Sequence, residues 1–214
     1  MDEYMNDVSF DIGKVLTQFA AGVTYLSDQK KIEDKAEENR TFFIDYNIED
    51  DYRLIELSKK IIQMNADEAN TPESELKPIY LWIHSYGGDL YQAQYFCDLI
   101  QASRIPIVTV AMGSAMSAAF LIFICGKRRY AFQNSQLLVH EGSTKFEGSA
   151  TEVEEAMKNY MKTIDNMKDI ILAKTEIPEK IFNKNRKKDW YLTTQELVDY
   201  KIADHIVEKF EDIK

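Results

Sequence analysis

Ile107-Val108-Thr109-Val110-Ala111, then Met112-Gly113-Ser114-Ala115-Met116-Ser117-Ala118-Ala119-Phe120, then Leu121-Ile122-Phe123-Ile124, is the stretch on which the fold turns. No residue from Ile105 to Gly126 is charged, and Arg104 and Lys127-Arg128-Arg129 flank the run. Its length alone is enough for a bilayer span. Its texture argues otherwise. The first half is β-branched and begins after Ile105-Pro106, the middle is Gly-Ser-Ala, and only the second half is strongly apolar. A buried strand, a tight turn and a buried helix explain this better than a membrane helix does. The junction falls at Ser117, and a serine there has two readings. It can cap the helix that follows. It can also be a nucleophile, with small neighbours admitting a substrate backbone and free N–H groups at the helix start forming an oxyanion site.

Working outward, strands and helices alternate. Residues 41–46 read as a strand. Asp50 or Asp51 then caps a helix with Leu54, Leu57, Ile61 and Met64 at helical spacing. After a polar loop at 66–76, residues 78–84 form a second strand that ends in Ser85-Tyr86-Gly87-Gly88, and a helix covers 90–102. The third strand is 107–111. Residues 130–132 and 137–140 are short strands around the Asn134-Ser135 turn. A long helix spans 150–174, with Val153, Met157, Tyr160, Ile164, Met167 and Ile171 at alternating steps of four and three. Met161 and Ile170 widen that seam enough to meet a second subunit. Pro178 restarts a short helix, another after Trp190-Tyr191-Leu192 is capped by Thr193 or Thr194, and Ile206-Val207 is a last strand. This alternation implies a layered α/β fold with parallel pairing. Residues 1–40 are less readable. Val15, Leu16, Phe19, Ala20 and Val23 suit one apolar helical face, and 28–40 is a charge-dense, exposed segment.

The chain of 214 residues is long enough for one substantial domain with its own core. A net charge of -10 and a pI near 4.9 argue against a nucleic-acid partner. Cys97 and Cys125 sit in apolar contexts and imply neither a disulfide framework nor a zinc site. The acidic start Met1-Asp2-Glu3-Tyr4 has no signal-peptide pattern, so the expected setting is cytoplasmic.

If Ser117 is a nucleophile it needs a base, and the base needs an acid to fix its tautomer. The histidines are His84, His140 and His205. His140 ends the apolar run Leu137-Leu138-Val139 and is delivered to a strand edge. His84 also ends a strand, and His205 has no companion pattern. Among acids, Asp189 lies between a basic cluster and Trp190-Tyr191, while Asp199 and Asp204 are less distinctive. Gly87-Gly88 is a turn that also lets a backbone N–H face a cleft with no side chain in the way.

Five segments, in order, carry a resemblance. Ile83-His84-Ser85-Tyr86-Gly87-Gly88 resembles I-N-S-P-G-G, and Gly113 to Ala119 resembles G-x-A-A-S-M-G. Asn134 to His140 resembles P-N-S-R-x-M-I-H, Asp189 to Glu196 resembles D-x-x-[LM]-[ST]-A-x-E, and Tyr200 to Asp204 resembles Y-G-L-[IV]-D. These are motifs of the proteolytic subunit of the Clp protease, the ClpP family of serine peptidases, whose fold is related to the crotonases. The resemblance runs from about Thr41 to Val207 and divides the chain into a divergent N-terminal segment, 1–40, and a ClpP-like serine protease domain, 41–214.

It implies a ClpP/crotonase-like fold of stacked ββα units with a long protruding handle helix. It implies Ser117 as nucleophile, His140 as base, Asp189 as its orienter, and the backbone N–H groups of Gly88 and Ala118 as the oxyanion hole. It implies an endopeptidase that cuts unfolded polypeptides inside stacked heptameric rings, a tetradecamer. No metal or cofactor is implied, ATP being used by a separate AAA+ unfoldase partner, and no nucleic acid or membrane is involved. Several positions depart from the family pattern: His84, Tyr86, Ala118-Ala119, Lys201, and Glu141-Gly142 where the family has Gln-Pro. The readings that compete with it are a phage head-maturation protease, a non-catalytic ring partner and a crotonase-like acyl-CoA enzyme.

Overall fold

The computed structural model describes residues 30–49 and 52–214. The apolar face expected at Val15, Leu16, Phe19, Ala20 and Val23, and the cap expected from Asp50 or Asp51, lie outside the described residues. The chain divides into two compact units, Met1–Asn39 and Arg40–Lys214. In the first, residues 30–38 are helical.

The second unit is organised by one long strand. Its parallel sheet runs β1 (Thr41–Ile44), β2 (Ile79–Ser85), β3 (Ile107–Met116), β4 (Arg128–Phe132) and β7 (His205–Val207). Strand β3 is twice the expected length, because the small residues after Ala111 continue it instead of turning it. Its first half, Val108 to Ala111, pairs with β4. Its second half, Ser114 to Met116, leaves β4 and pairs in parallel with β5 (Gln136–Val139). Between the halves, Ala111 to Ala115 on β3 stands opposite Ile83 to Ser85 on β2, so β3 carries two extra residues there. Gly113, at φ +96, makes this bend, and an added Cβ would lie 2.4 Å from His84 Nδ1. The short strand β6 (Trp190–Leu192) pairs antiparallel with β5. Three residues are too few to display alternation, so it is not legible as a strand in the sequence.

Parallel neighbours need crossover connections, and these supply the helices. Helices α1 (Tyr52–Asp67), α2 (Leu90–Ala102) and α3 (Ala118–Ile124) follow β1, β2 and β3. Every residue of α3 is buried, which explains its uniformly apolar sequence. Burying side chains such as Phe120, Leu121 and Phe123 contributes roughly 1.5–3 kcal/mol each. The uncharged run is therefore the inside of the domain, and no helix among the described residues is long and apolar enough to cross a membrane.

The long helix α4 (Ala150–Lys174) begins with a Ser149/Glu152 capping box, as its first turn requires. Only the far part of its seam, Ile164, Met167 and Ile171, is buried, whereas Met157 and Met161 are exposed. Helix α5 (Glu179–Asn185) starts at Pro178, and α6 (Thr194–Asp199) is capped by Thr193 with Glu196. Lys201, in place of the family's glycine, keeps left-handed backbone at φ 45.

Arg129 ties β4 to the approach of β7. Its Nη2 donates to Asp204 Oδ1 at 2.8 Å, its backbone N donates to Asp204 Oδ2 at 2.8 Å, and its Nη1 donates to Lys174 O at 2.6 Å. Partial burial pushes the Asp204 carboxyl up, but hydrogen bonds from Arg129 and its charge outweigh this and hold it below its ordinary value. A depressed carboxylate stabilises the fold above its unfolded pKa, about 3.9, and that stability is lost as pH falls through the lower folded value. Asp204→Asn should therefore lower Tm at pH 7, and the gap from wild type should close below about pH 4 in thermal melts. An unchanged gap at pH 3 would contradict this role for Asp204.

Candidate active site

Ser117 stands where β3 stops and α3 starts. Its backbone is in a sparsely populated region, φ 54 and ψ -121. Such strain at a non-glycine residue costs about 1–3 kcal/mol and persists only where neighbours impose it. Here Ser117 N donates to Leu138 O at 3.0 Å on β5, and Leu121 N closes the first helical turn on Ser117 O at 3.3 Å. The Ser117 side chain makes no capping bond. Ser117 therefore occupies the N-cap position through its backbone alone, and its hydroxyl does not cap the helix.

The sheet registers deliver the partners. Met116 pairs with Leu138, so Ser117 and the end of β5 lie side by side. Val139 pairs with Trp190 in the antiparallel β5–β6 ladder. One step further along that ladder, His140 faces Asp189. The side chains complete the line: His140 Nε2 is 2.8 Å from Ser117 Oγ, and His140 Nδ1 is 2.9 Å from Asp189 Oδ1. An ionised carboxylate only accepts, so Nδ1 carries the proton and Nε2 is left to accept from the Ser117 hydroxyl. The three residues singled out in the sequence meet in hydrogen-bonding order.

Gly87 and Gly88 form the facing wall. A Cβ at Gly87 would lie 2.4 Å from Met116 O and 2.9 Å from Ala118 N, and one at Gly88 would lie 1.8 Å from Ile48 O. Both positions also have φ above +90. Ile48 N donates to Gly87 O at 2.8 Å, and Asp89 N donates to Ile48 O at 2.6 Å, which locks the loop to the segment after β1. Among the described residues, the N–H groups of Gly88 and Ala118 have no acceptor. Both residues line the same cleft as Ser117, His140 and Asp189, a cavity of about 430 Å³.

Aromatic side chains that were not singled out for the site in the sequence shape the rest of that cleft. Phe146, from the loop before α4, meets Tyr160 edge-on at 5.9 Å. Burial first, and then Tyr91, Asp89 and Glu141, push the Tyr160 phenol above its ordinary pKa. An aromatic in a Gly/Ser loop carries no pattern that assigns it to a site, and Tyr160 is masked by its place in the helical seam.

The other candidates are engaged elsewhere. His84 Nδ1 accepts from Ser114 N at 3.2 Å, His205 stacks on Tyr130 with ring centroids 5.1 Å apart, and Asp204 belongs to Arg129. Cys97 and Cys125 are free and buried. Among the described residues no group of three or more His, Cys, Asp or Glu is arranged to hold a metal ion.

Comparison with known proteins places this geometry. A model of the Clp protease family matches residues 27–210. The chain is 32% identical over 160 residues to ATP-dependent Clp protease proteolytic subunit 2 of Treponema denticola, covering 74% of this chain and 79% of the relative. It is 24% identical over 151 residues to the ATP-dependent Clp protease proteolytic subunit of Deinococcus radiodurans, covering 70% and 72%. A mutant of ClpP1 from Listeria monocytogenes shares the fold, with a TM-score of 0.72 at 20% identity over 86% of this chain and 99% of that one. Fold and relatives together define a peptidase. The chain belongs to the Clp protease family.

The Gly88 contact makes this wall of the cleft testable. Gly88→Ala must displace Ile48 O or the loop itself, so peptide hydrolysis should fall by about 100-fold or more, the scale of losing one oxyanion donor. Steady-state kinetics alongside a circular dichroism melt separates that loss from unfolding. Near wild-type kcat would remove Gly88 from the site.

Proposed function

We propose that the chain is a serine endopeptidase of the Clp type that cleaves unfolded polypeptides. Ser117 Oγ attacks the scissile carbonyl carbon and passes its proton to His140 Nε2. The N–H groups of Gly88 and Ala118 receive the oxyanion. His140 then hands the proton to the leaving amine, which departs and leaves an acyl ester on Ser117. Water enters, His140 takes one of its protons, and the ester is hydrolysed. Asp189 holds the imidazole in the Nδ1–H tautomer and stabilises its positive charge between steps. The reaction as written uses no metal or cofactor. The observation that carries this reading is the Ser117–His140–Asp189 hydrogen-bond line, at 2.8 and 2.9 Å, on a serine of strained backbone.

The assembly belongs to the same proposal: a homo-oligomer of heptameric rings stacked as a tetradecamer, fed by a separate AAA+ unfoldase that spends the ATP. The relatives' description as proteolytic subunits of an ATP-dependent protease supports it. So do Met157 and Met161, large apolar side chains on the outer half of α4 that a second subunit would cover. A cytoplasmic setting fits the two free, buried cysteines. The ready-made hydrogen-bond line gives a non-catalytic ring partner no support, and nothing in the site favours a phage maturation enzyme or an acyl-CoA enzyme.

Ser117→Ala should abolish peptide hydrolysis, a fall of about 10⁶-fold in kcat by analogy with removal of a triad serine, and also abolish fluorophosphonate labelling. Native mass spectrometry should show its assembly unchanged. Labelling of another serine, with hydrolysis intact in Ser117→Ala, would overturn the assignment.

A further inference from the structure

Asp189 is the loosely held member of the line. Its side chain is 60% exposed, and among the described residues its one hydrogen-bond partner is His140. It ends the short loop between α5 and β6, so the position of its carboxylate depends on what holds that loop. On one side the answer is the Val139–Trp190 pair of the β5–β6 ladder. On the other side it is Glu141 and Arg186. The Glu141 backbone N donates to Arg186 O at 2.8 Å, and Arg186 Nε donates to Glu141 Oε1 at 2.7 Å. Both side chains are largely covered, at 25% and 18% exposure. Arg186 is anchored in turn, its N donating to the carbonyl of Phe182, which is fully buried on α5. The residue after the base and the first residue of the acid's loop are thus joined twice, by backbone and by charge. Charge-assisted, partly desolvated contacts of this kind are stronger than exposed ion pairs.

The need for such a clamp is local. Gly142 follows at φ +76, a conformation closed to the proline that stands there in the family pattern. The chain beyond His140 therefore lacks a ring-locked turn, and the Glu141–Arg186 contact supplies the restraint from the other direction.

We propose that Glu141 and Arg186 are positioning residues that hold Asp189 against His140 Nδ1. They act through the imidazole and carboxylate and not on the reacting atoms. The inference rests on Ser117, His140 and Asp189 being the catalytic line.

The test uses the full-length protein and a fluorogenic peptide. Variants are Glu141→Ala, Glu141→Gln, Arg186→Lys, Asp189→Asn and the double variant Glu141→Ala/Asp189→Asn, each checked by thermal melt and native mass spectrometry. Misplacement of a catalytic group by about 1 Å costs up to ~100-fold, so Glu141→Ala should lose ~10–100-fold in kcat with KM within about twofold. Glu141→Gln keeps an acceptor for Arg186 Nε and should stay within about fivefold of wild type, while Arg186→Lys loses the fixed Nε geometry and should fall with Glu141→Ala. In the Asp189→Asn background, Glu141→Ala should change kcat by less than about twofold, because its route of action is already gone.

A purely structural role would instead give additive losses in that background and would overturn the proposal. So would a rise in KM alone, which would make Glu141 a substrate contact, or full activity in Glu141→Ala. Failure of the underlying site reading looks different, because then Ser117→Ala itself still hydrolyses the peptide.

Discussion

On the edge facing away from β2, strand β3 hydrogen-bonds first to one neighbour and then to another, and the rest of the domain is arranged around that change of partner. While it runs beside β4 it belongs to an ordinary parallel sheet. After the bend at Gly113 it belongs to a branch of the same sheet with β5, which β6 extends in the opposite direction. Without the branch, β3 would end near Ala111. The branch carries three strand ends beyond that point, and they converge. Ser117 leaves β3 and His140 leaves β5, so their separation is set by ladder registers, whereas Asp189 enters β6 from a loop that the Val139–Trp190 pair and the Glu141–Arg186 contact hold in place. Groups held this way need little reorganisation when substrate binds.

Holding Ser117 in its strained turn requires that both sides of it be immovable. The strand side is fixed by the ladder to β5, and the helix side by α3, which has no exposed residue. Burial of that helix exceeds the 1–3 kcal/mol of local strain several times over, on the scale of roughly 1.5–3 kcal/mol per large apolar side chain. The long uncharged stretch follows from this: it is the counterweight to a strained residue at its centre. Thr109 fits the same pattern, since its buried hydroxyl donates to Phe123 O at 2.7 Å and pins the far end of α3 back onto β3.

Much of this was legible in the residues. Helix α2 and helix α4 appear at the boundaries their periodicity predicts, because their apolar faces are regular, and the structure adds the caps Asp89 and Ser149 with Glu152 at their starts. Ser117, His140 and Asp189 were legible because they sit in ordered motifs, each attached to an apolar run or an aromatic pair. The length of β3 was not legible. Gly, Ser and Ala read as a turn by composition, and only the presence of β5 alongside makes them a strand, a tertiary effect that no local signal reports. Strand β6 escaped for a related reason, since three residues depend wholly on their partner for extended structure. Glu141 and Arg186 are 45 positions apart in sequence and belong to no shared pattern, so only the folded chain brings them together.

Helix α4 is divided by its own burial, and this has a kinetic consequence. At about 1.5 Å per residue its 25 residues span close to 37 Å. Ile164, Met167 and Ile171 lock the far part to the core, whereas the part before Tyr160 has few buried neighbours. Local opening free energy follows burial, so amide protons before Tyr160 are expected to exchange with solvent faster than those after Ile164. Tyr160 lies at that boundary and also forms a wall of the cleft. One side of the cleft is therefore built on the seam between a well-buried segment of the helix and a largely exposed one.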